Sequence, residues 1–289
     1  MIDNVKSRGD IVVSELLGSF GDNELSPECL DGVQQCGILK DDCVSIPQNY
    51  TAYIAPVSSA RLYCEARNQS CFPLNTNEGP ASPSVGMQRA LETPYVVRSH
   101  AASQTHAEQA CWTYTHPHQS KIEGTTSSSQ AAMNINNDRH AHLSFQHDPT
   151  HGVGFGCGYG ALDSEVASMA SSTSDNDDTT ITLHGLLGSF HSVLYESKHR
   201  NDKSTISIAP TSFSVGMFSW FPLYFPLKEP LRVPNQATVN CSIWRRSDNE
   251  RVWYEWCAEV VTEDRNGEEL CWASSSMHNA GGRSYHVKK

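Results

Sequence analysis

The feature that most constrains the fold is a change of pattern at Pro47. Beyond it, short runs rich in β-branched and aromatic residues alternate with proline, glycine and asparagine. This is typical of antiparallel strands joined by turns, so we expect an antiparallel β-sandwich or β-barrel over residues 48–289. The clearest predicted strands are Tyr50–Val57, Tyr95–Val97, Thr182–Tyr195, Thr205–Ile208, Val239–Trp244 and Val252–Cys257.

The segment before the change has a different pattern. Asp10–Glu15 is a short apolar run that ends on a carboxylate, as a buried strand of an α/β sheet does. A helix is predicted next, with Ser26 as N-cap, Pro27 at its first position and its end at Gly37. Strand, loop and helix in this order predict the last unit of an α/β sheet over residues 1–47.

Three polar stretches interrupt the predicted β domain: 68–93, 119–136 and 146–178. The last contains Ser-Ser-Thr-Ser-Asp-Asn-Asp-Asp, which cannot bury enough apolar surface to order itself. A hydrophobic content of 38% is low for a compact enzyme and agrees with unpacked loops. We therefore expect loops or insertions at all three places.

The charge balance restricts the partners. Lys and Arg number 21 against 32 Asp and Glu, a net charge of −11. An acidic surface repels phosphate backbones and attracts basic segments, so we expect Arg-rich peptides rather than direct binding of nucleic acid. No apolar run approaches the roughly 20 residues that a membrane-spanning helix needs.

The cysteines, histidines and glycines offer patterns that resemble metal or nucleotide sites. The ten cysteines include no CxxC pair, so free thiols are expected rather than a structural zinc. His140, His142, His147 and His151 could be drawn as a metal cluster, but solvated histidines explain them better. Gly152–Gly160 alternates glycines without a preceding strand or a following helix, so it does not predict a nucleotide-binding loop.

Two features carry possible chemistry. Glu15 and Glu24 flank a glycine-containing loop, and Glu15 follows a predicted strand at its carboxyl end, where α/β sheets bind ligands. Trp220 stands between Phe218 and Phe221. From spacing alone the glutamates could be solvated loop acids and the tryptophan a core residue, and both alternatives stay open at this point.

The segment Glu15–Pro27 resembles the double-E hairpin of protein arginine methyltransferases, in the form found in the type II, symmetric-dimethylating members. Similar segments recur from Asp10 to Tyr285, and the three polar stretches depart from the family pattern. These further segments are Cys29–Gly32, Leu39–Asp42, Val44–Pro47, Pro94–Arg98, Leu183–Gly185, Val193–Tyr195, Gly216–Pro222, Val252–Trp256, His278–Asn279 and Gly282–Tyr285.

The resemblance implies that Glu15 and Glu24 are the catalytic pair. The nucleophile would be an arginine guanidinium, which stays protonated because its pKa exceeds about 12. Two fixed carboxylates can accept its N–H groups, and one can take the proton as the methyl group moves. Leu17 is similar to the family position whose carbonyl contacts the substrate.

By the same resemblance, Ser219, Trp220 and Phe221 bind substrate. An indole face stacked on guanidinium contributes about 0.5–2 kcal/mol. Phe221 corresponds to a position that makes a backbone contact. Ser219 resembles the symmetric type, since asymmetric-dimethylating relatives carry Thr-His-Trp here.

The remaining expectations also come from the resemblance. The first 47 residues would be the end of a Rossmann-like domain, and its S-adenosylmethionine site would precede Met1. The chain alone would then neither bind the donor nor methylate, and residues 1–47 would be loosely attached to the barrel. Histone tails and Arg/Gly-rich proteins would be substrates, in cytoplasm and nucleus.

The resemblance implies two partners: a WD-repeat protein, which would bind through an N-terminal domain absent from this chain, and a second copy of the chain. The alternative is a catalytically incomplete scaffold that binds arginine-bearing peptides or dimerises through the barrel. An unrelated all-β binding module would not explain why both glutamates are present in one loop.

Overall fold

The computed structural model describes residues 7–69, 83–99, 102–117, 136–146, 153–154, 180–197, 200, 202–264 and 266–289. These residues contain fifteen strands and three α-helices. The helices are α1 (Ser26–Gln35), α2 (Ala60–Asn68) and α3 (Pro83–Leu91). The strands are β1 (Gly9–Val13), β2 (Leu39–Ile46), β3 (Asn49–Ser58), β4 (Tyr95–Val96), β5 (Ser103–Gln104), β6 (Gln109–Thr115), β7 (Arg139–Gln146), β8 (Val153–Gly154), β9 (Ile181–Glu196), β10 (Lys203–Ser207), β11 (Leu223–Val233), β12 (Thr238–Ser247), β13 (Arg251–Glu263), β14 (Glu269–Ser274) and β15 (Val287–Lys288).

Residues 9–46 form a strand–helix–strand unit in which β1 and β2 pair in parallel. The sequence predicted β1 and α1 but not β2, which supplies hydrogen-bond partners to β1 along one edge. The side chains of Ile11 and Val13 are 59% and 70% exposed, so the expectation of a buried strand is wrong for this structure. Within the described residues, this unit corresponds to the α/β part of the predicted fold.

Helix α1 ends as predicted, at Gln35, with Gly37 at φ +68°. Its start differs, because Leu25 is the N-cap and Ser26 is already helical. The predicted cap role of Ser26 is therefore wrong. Its hydroxyl instead lies 3.1 Å from the carbonyl oxygen of Gly21 and 3.0 Å from the hydroxyl of Tyr50, which ties the helix start to β3.

The β domain contains an eight-stranded and a five-stranded sheet, and every pairing in them is antiparallel. The larger runs β4-β11-β9-β3-β5-β8 with β10 on β9 and β6 on β3, and the smaller runs β14-β13-β12-β7 with β15 on β13. Side chains from both form one core that includes Phe190, Phe225, Ile243 and Trp256. The antiparallel prediction is confirmed, but within the described residues the sheets do not close into a barrel.

All six strands predicted from the sequence are present, in β3, β4, β9, β10, β12 and β13. Strand β11 was missed because Pro226 and Pro230 read as breaks. The structure accommodates them with a shift of register between Pro226 and Leu231.

The predicted polar stretches have mixed outcomes. The loop predicted over 68–93 is wrong at its end, where α3 forms. Most of 119–136 and 146–178 lies outside the described residues, as do His147, His151 and all of Gly152–Gly160 except the two residues of β8.

The described residues also bear on the membrane and metal expectations. None of the described helices is long and apolar enough to cross a membrane. The eight described cysteines are free, and no group of three or more metal-binding side chains occurs in the described part of the chain. His140 stacks on Trp244 at 4.6 Å between ring centroids, and His142 Nδ1 lies 2.8 Å from Ser242 Oγ.

Candidate active site

The loop from Ser14 to Leu25, here called the double-E loop, joins β1 to α1 as a tight hairpin. The Gly21 amide donates to the Gly18 carbonyl over 2.9 Å, and Gly21 has φ +81°. A Cβ on Gly18 would lie 2.5 Å from the side chain of Asn23, whose Oδ1 accepts a 2.6 Å hydrogen bond from the Phe20 amide. Close approach and positive φ explain why glycines occupy both positions.

The tip of the hairpin is buried in the β domain. Phe20 is fully buried and meets Trp112, Phe225 and Tyr254 edge to face, with ring centroids 5.7, 5.4 and 5.6 Å away. Such aromatic pairs add stability beyond their buried area. The expectation that residues 1–47 are loosely attached is therefore wrong, since this loop contributes to the core of the following domain.

Leu17 and Trp220, which the resemblance assigned separately to substrate binding, contact each other. The indole N–H of Trp220 donates to the carbonyl oxygen of Leu17 over 2.5 Å, and its ring meets Phe190 edge to face at 6.2 Å. Trp220 is only partly buried. Trp220 thus packs against the core, as the interpretation of a core tryptophan held. It also lies beside the double-E loop, where a substrate-binding role would place it.

The neighbours of Trp220 are less constrained. Ser219 is exposed and Phe221 is half-buried. The guanidinium of Arg98 lies 5.3 Å from the centre of the Phe221 ring. Arg98 belonged to a segment that matched the family pattern, but the sequence analysis gave it no role.

Glu15 and Glu24 lie on the two arms of the hairpin, and both side chains are exposed. Burial, and then the negative charge of the Glu24 carboxylate, raise the pKa of the Tyr285 phenol. Nδ2 of Asn279 donates to the Tyr285 carbonyl over 2.8 Å, and the Tyr285 amide donates to Oδ1 of Asn279 over 3.0 Å. Sequence reasoning gave Tyr285 no site role, although it closes the last segment that resembles the family.

Asp22, two residues before Glu24, is a buried carboxylate that accepts two hydrogen bonds and lies beside one guanidinium. The indole N–H of Trp112 donates to its Oδ2 over 2.6 Å, and the Tyr254 hydroxyl donates to its Oδ1. Nε of Arg245 lies 3.5 Å from Oδ2. Arg245 also donates from Nη1 and Nη2 to the two oxygens of Glu28, over 2.9 and 2.8 Å.

Burial raises the pKa of Asp22, and the charge of Arg245 and the hydrogen bonds from Tyr254 and Trp112 oppose that increase only in part. Burial by itself would lower the pKa of Arg245, but Asp22 and other neighbours outweigh it and raise that pKa. The two directions are compatible because Glu28 is the closer counter-ion, in bidentate geometry. Arg245 therefore stays charged in the core.

A second buried polar group fixes α1 to the β domain. Nδ2 of Asn137 donates to Asp31 in α1 over 2.9 Å, and Nε2 of His116 lies 3.1 Å from the Tyr50 hydroxyl. Nδ1 of His116 lies 3.7 Å from Asp31. Together with the Asp22 contacts, these bonds hold both ends of the segment that carries Glu24.

The geometry suits a planar cation. Two exposed carboxylates on one hairpin can accept the N–H groups of a guanidinium, and a partly buried indole beside them can stack on it. A separate cavity of about 440 Å³ between α2 and β4 is lined by Arg61, Leu62, Tyr95 and Arg98 among others, and no residue of the double-E loop lines it.

The fold is that of protein arginine methyltransferases. The Trypanosoma brucei PRMT1 enzyme–prozyme heterotetrameric complex with AdoHcy gives a TM-score of 0.58 at 12% identity, covering 99% of this chain and 72% of that chain. Arabidopsis thaliana protein arginine methyltransferase 10 gives 0.54 at 14% identity, covering 94% and 71%. At such identities the likeness defines the fold alone.

The sequence defines the family. The family model described as PRMT5 oligomerisation domain matches residues 49–162 and 163–287, and the model described as PRMT5 arginine-N-methyltransferase matches residues 3–46. The chain belongs to the protein arginine N-methyltransferase 5 family.

Three curated relatives are each named as a protein arginine N-methyltransferase. The Xenopus laevis protein arginine N-methyltransferase 5 is 38% identical over 97% of this chain and 33% of its own length. The Schizosaccharomyces pombe protein arginine N-methyltransferase skb1 is 34% identical over 96% and 36%, and the Caenorhabditis elegans protein arginine N-methyltransferase 5 is 32% identical over 98% and 34%. The chain thus spans about a third of the length of these relatives.

Proposed function

We propose that this chain carries the substrate-arginine site of a protein arginine methyltransferase that uses S-adenosylmethionine. The observation that supports this most is the hairpin of the double-E loop, with Glu15 and Glu24 exposed on its arms and Trp220 bonded to the Leu17 carbonyl between them. This arrangement presents two carboxylates and one aromatic face on a rigid support.

In the proposed mechanism the two carboxylates accept N–H groups of the substrate guanidinium and hold it in a fork geometry. Their negative charge concentrates the positive charge of the guanidinium away from the nitrogen that reacts. One of them takes the proton that this nitrogen loses. Trp220 stacks on the guanidinium, and the Leu17 carbonyl contacts the substrate, as the family resemblance implies. S-adenosylmethionine supplies the methyl group when bound.

The proposed product is symmetric dimethylarginine, because Ser219 stands where asymmetric-dimethylating relatives carry histidine before the tryptophan. Proposed substrates are histone tails and Arg/Gly-rich proteins, which the net charge of −11 would attract. The proposed location is cytoplasm and nucleus.

We propose that residues 1–47 and 48–289 act as an arginine-holding unit and a substrate-binding or dimerisation domain. The description of the matching family model as an oligomerisation domain supports association of copies through the β domain. A WD-repeat partner would bind through a part of the protein other than this chain. The same description favours the second candidate function, a scaffold that binds arginine-bearing peptides or dimerises without catalysis.

Peptide binding tests the arginine site without requiring turnover. A fluorescently labelled Arg/Gly-rich peptide should bind more tightly than the same peptide with citrulline, which keeps the shape but lacks the charge. Glu15→Gln and Glu24→Gln should each weaken arginine-peptide binding at least roughly tenfold, because each removes a charge-assisted hydrogen bond worth about 1.5–3 kcal/mol. Glu229→Gln, an exposed glutamate of β11, is the control. Equal affinity for the two peptides would contradict the proposal.

A further inference from the structure

Arg245 lies near the end of β12, and its side chain is completely buried. It points its guanidinium at the segment that carries Glu24: Nε faces Asp22 at 3.5 Å, and both Nη atoms bind Glu28 at 2.8–2.9 Å. Asp22 precedes Glu24 by two residues, and Glu28 follows it by four. One cation of the β domain therefore holds the backbone on both sides of Glu24.

The contacts leave Glu24 itself out of the ion cluster. Its side chain is exposed, whereas Asp22 is 1% exposed and engaged by Trp112 and Tyr254 as well. Asp22 and Glu28 thus absorb the charge of Arg245, and the Glu24 carboxylate stays available to a cation from outside. Among the described residues, Arg245 contacts neither Glu15 nor Glu24 directly.

We propose that Arg245 is a positioning residue for Glu24, acting through Asp22 and Glu28 to fix that carboxylate for the substrate guanidinium. This inference rests on the proposed arginine site. It explains why the chain places a charged residue on the inward face of a core strand, where burial of an ion is unfavourable unless it is paired.

The chemistry requires arginine. Its guanidinium donates in a rigid fork to both oxygens of Glu28 while its charge faces Asp22, whereas a lysine ammonium is a compact point charge that cannot reproduce both contacts. Arg245→Lys therefore keeps the charge but loosens one side of the segment. A displacement of about 1 Å can reduce the rate of a catalysed step on the order of a hundredfold.

Arg246→Lys is the matched control. Arg246 is the next residue of the same strand, its side chain is 41% exposed on the opposite face, and it lies 3.8 Å from Glu255. The same substitution there changes one contact at the surface and none in the core. It should leave peptide affinity unchanged.

The test measures affinity of the whole chain for the labelled arginine peptide and its citrulline counterpart. Arg245→Lys should weaken arginine-peptide binding about tenfold, the lower range for a lost charge-assisted hydrogen bond, and leave citrulline-peptide binding unchanged. In a Glu24→Gln background Arg245→Lys should cause no further loss, because the residue acts through Glu24. Circular dichroism confirms that each variant is folded.

Glu28→Gln covers the case in which Arg245→Lys does not fold. The glutamine keeps an acceptor for Arg245 while removing one charge. Glu28→Gln should weaken arginine-peptide binding about threefold in the otherwise unmodified chain, and it should cause no further loss in the Glu24→Gln variant.

The outcomes separate the two proposals. If Glu24→Gln leaves affinity unchanged, the arginine site fails and this inference fails with it. If Glu24→Gln weakens binding while Arg245→Lys and Glu28→Gln bind normally, the positioning role alone is overturned. An equal loss from Arg245→Lys in both backgrounds would also overturn it, since that pattern belongs to a purely structural role.

Discussion

The indole N–H of Trp220 donates to the carbonyl oxygen of Leu17 over 2.5 Å, although the two residues are 203 positions apart. Trp220 lies just before β11 in the β domain, and Leu17 lies in the double-E loop of the α/β unit. The candidate arginine site therefore lies where the two parts of the chain meet. Each part supplies a component that the other lacks, carboxylates on one side and the aromatic ring on the other.

The two glutamates should control turnover. In full-length protein, Glu15→Gln and Glu24→Gln should each lower the rate of methyl transfer at least roughly tenfold, since each loses a charge-assisted hydrogen bond to the guanidinium. Donor binding should stay nearly unchanged, because these carboxylates act on the substrate. A radiolabel transfer assay with titration of S-adenosylmethionine measures both, and normal turnover in either variant would rule out its role.

The product should be symmetric dimethylarginine. Ser219 and Trp220 occupy the positions that resemble the symmetric-dimethylating pattern. Amino-acid analysis of a modified Arg/Gly-rich peptide distinguishes the two dimethylarginines. A predominantly asymmetric product would show that Ser219 does not report the reaction type.

Trp220→Phe should separate the two contacts of the tryptophan. Phenylalanine retains an aromatic face but loses the N–H that bonds to Leu17, a contribution of about 0.5–1.5 kcal/mol. Arginine-peptide affinity should fall by about three- to tenfold, and Trp220→Ala should lower it further because stacking is also lost. Equal affinities for the two variants would mean that the ring does not stack on the substrate.

Phe20→Ala should destabilise the whole chain by about 3–5 kcal/mol, because it leaves a cavity among Trp112, Phe225 and Tyr254. Phe218→Ala is the control, since Phe218 is 64% exposed and a surface change of this kind stays within about 0.5 kcal/mol. Urea denaturation followed by fluorescence gives both values. Similar stabilities for the two variants would contradict the anchoring role of the loop tip.

His278 should make stability fall in mildly acidic solution. Burial and the nearby charge of Lys228 lower the pKa of His278 from 6.5 to about 4, against the opposing effects of Trp256 and Glu92. Between these values the unfolded chain binds a proton that the folded chain does not, so the stabilisation is complete above pH 6.5 and is lost as pH falls towards 4. The loss reaches about 2 kcal/mol between pH 7 and pH 5.

The test compares unfolding at pH 7 and pH 5 for the unmodified chain and His278→Gln. Glutamine can accept from the Lys228 amide, as His278 Nε2 does at 2.9 Å, but does not titrate. The variant should lose less stability than the unmodified chain. Parallel behaviour of the two would show that His278 is not the titrating group.

Local chemistry made part of this fold predictable. Six strands followed from β-branched and aromatic runs, and α1 followed from Pro27 and Gly37. Strand β11 did not, because proline marks breaks locally and only a neighbouring strand with shifted register shows that it is tolerated. Closure into a barrel could not be decided from strand content, because strand pairing is a property of the whole chain.

For the candidate site, too, some residues were identified from the sequence and others were not. The residues on the double-E loop and around Trp220 were identified through family resemblance, and the structure brings Leu17 and Trp220 together. Arg245 was missed, although a signal existed: Val239, Cys241, Ile243 and Arg245 alternate along β12, so the pattern places a charge on the inward face. Its partners Asp22, in the double-E loop, and Glu28, in α1, precede it by more than 200 residues, so the sequence spacing does not reveal the contacts.

Those separations also order the events of synthesis. The bonds of the double-E loop and of α1 reach Trp220, Arg245 and Tyr254, which follow their partners by 203, 217 and 232 residues. During synthesis the double-E loop emerges before these three partners, so its contacts with Tyr254 form only after β13 has left the exit tunnel. A chain that stops before Tyr254 therefore has both glutamates but lacks the Tyr254 hydrogen bond to Asp22 and the Tyr254 ring beside Phe20.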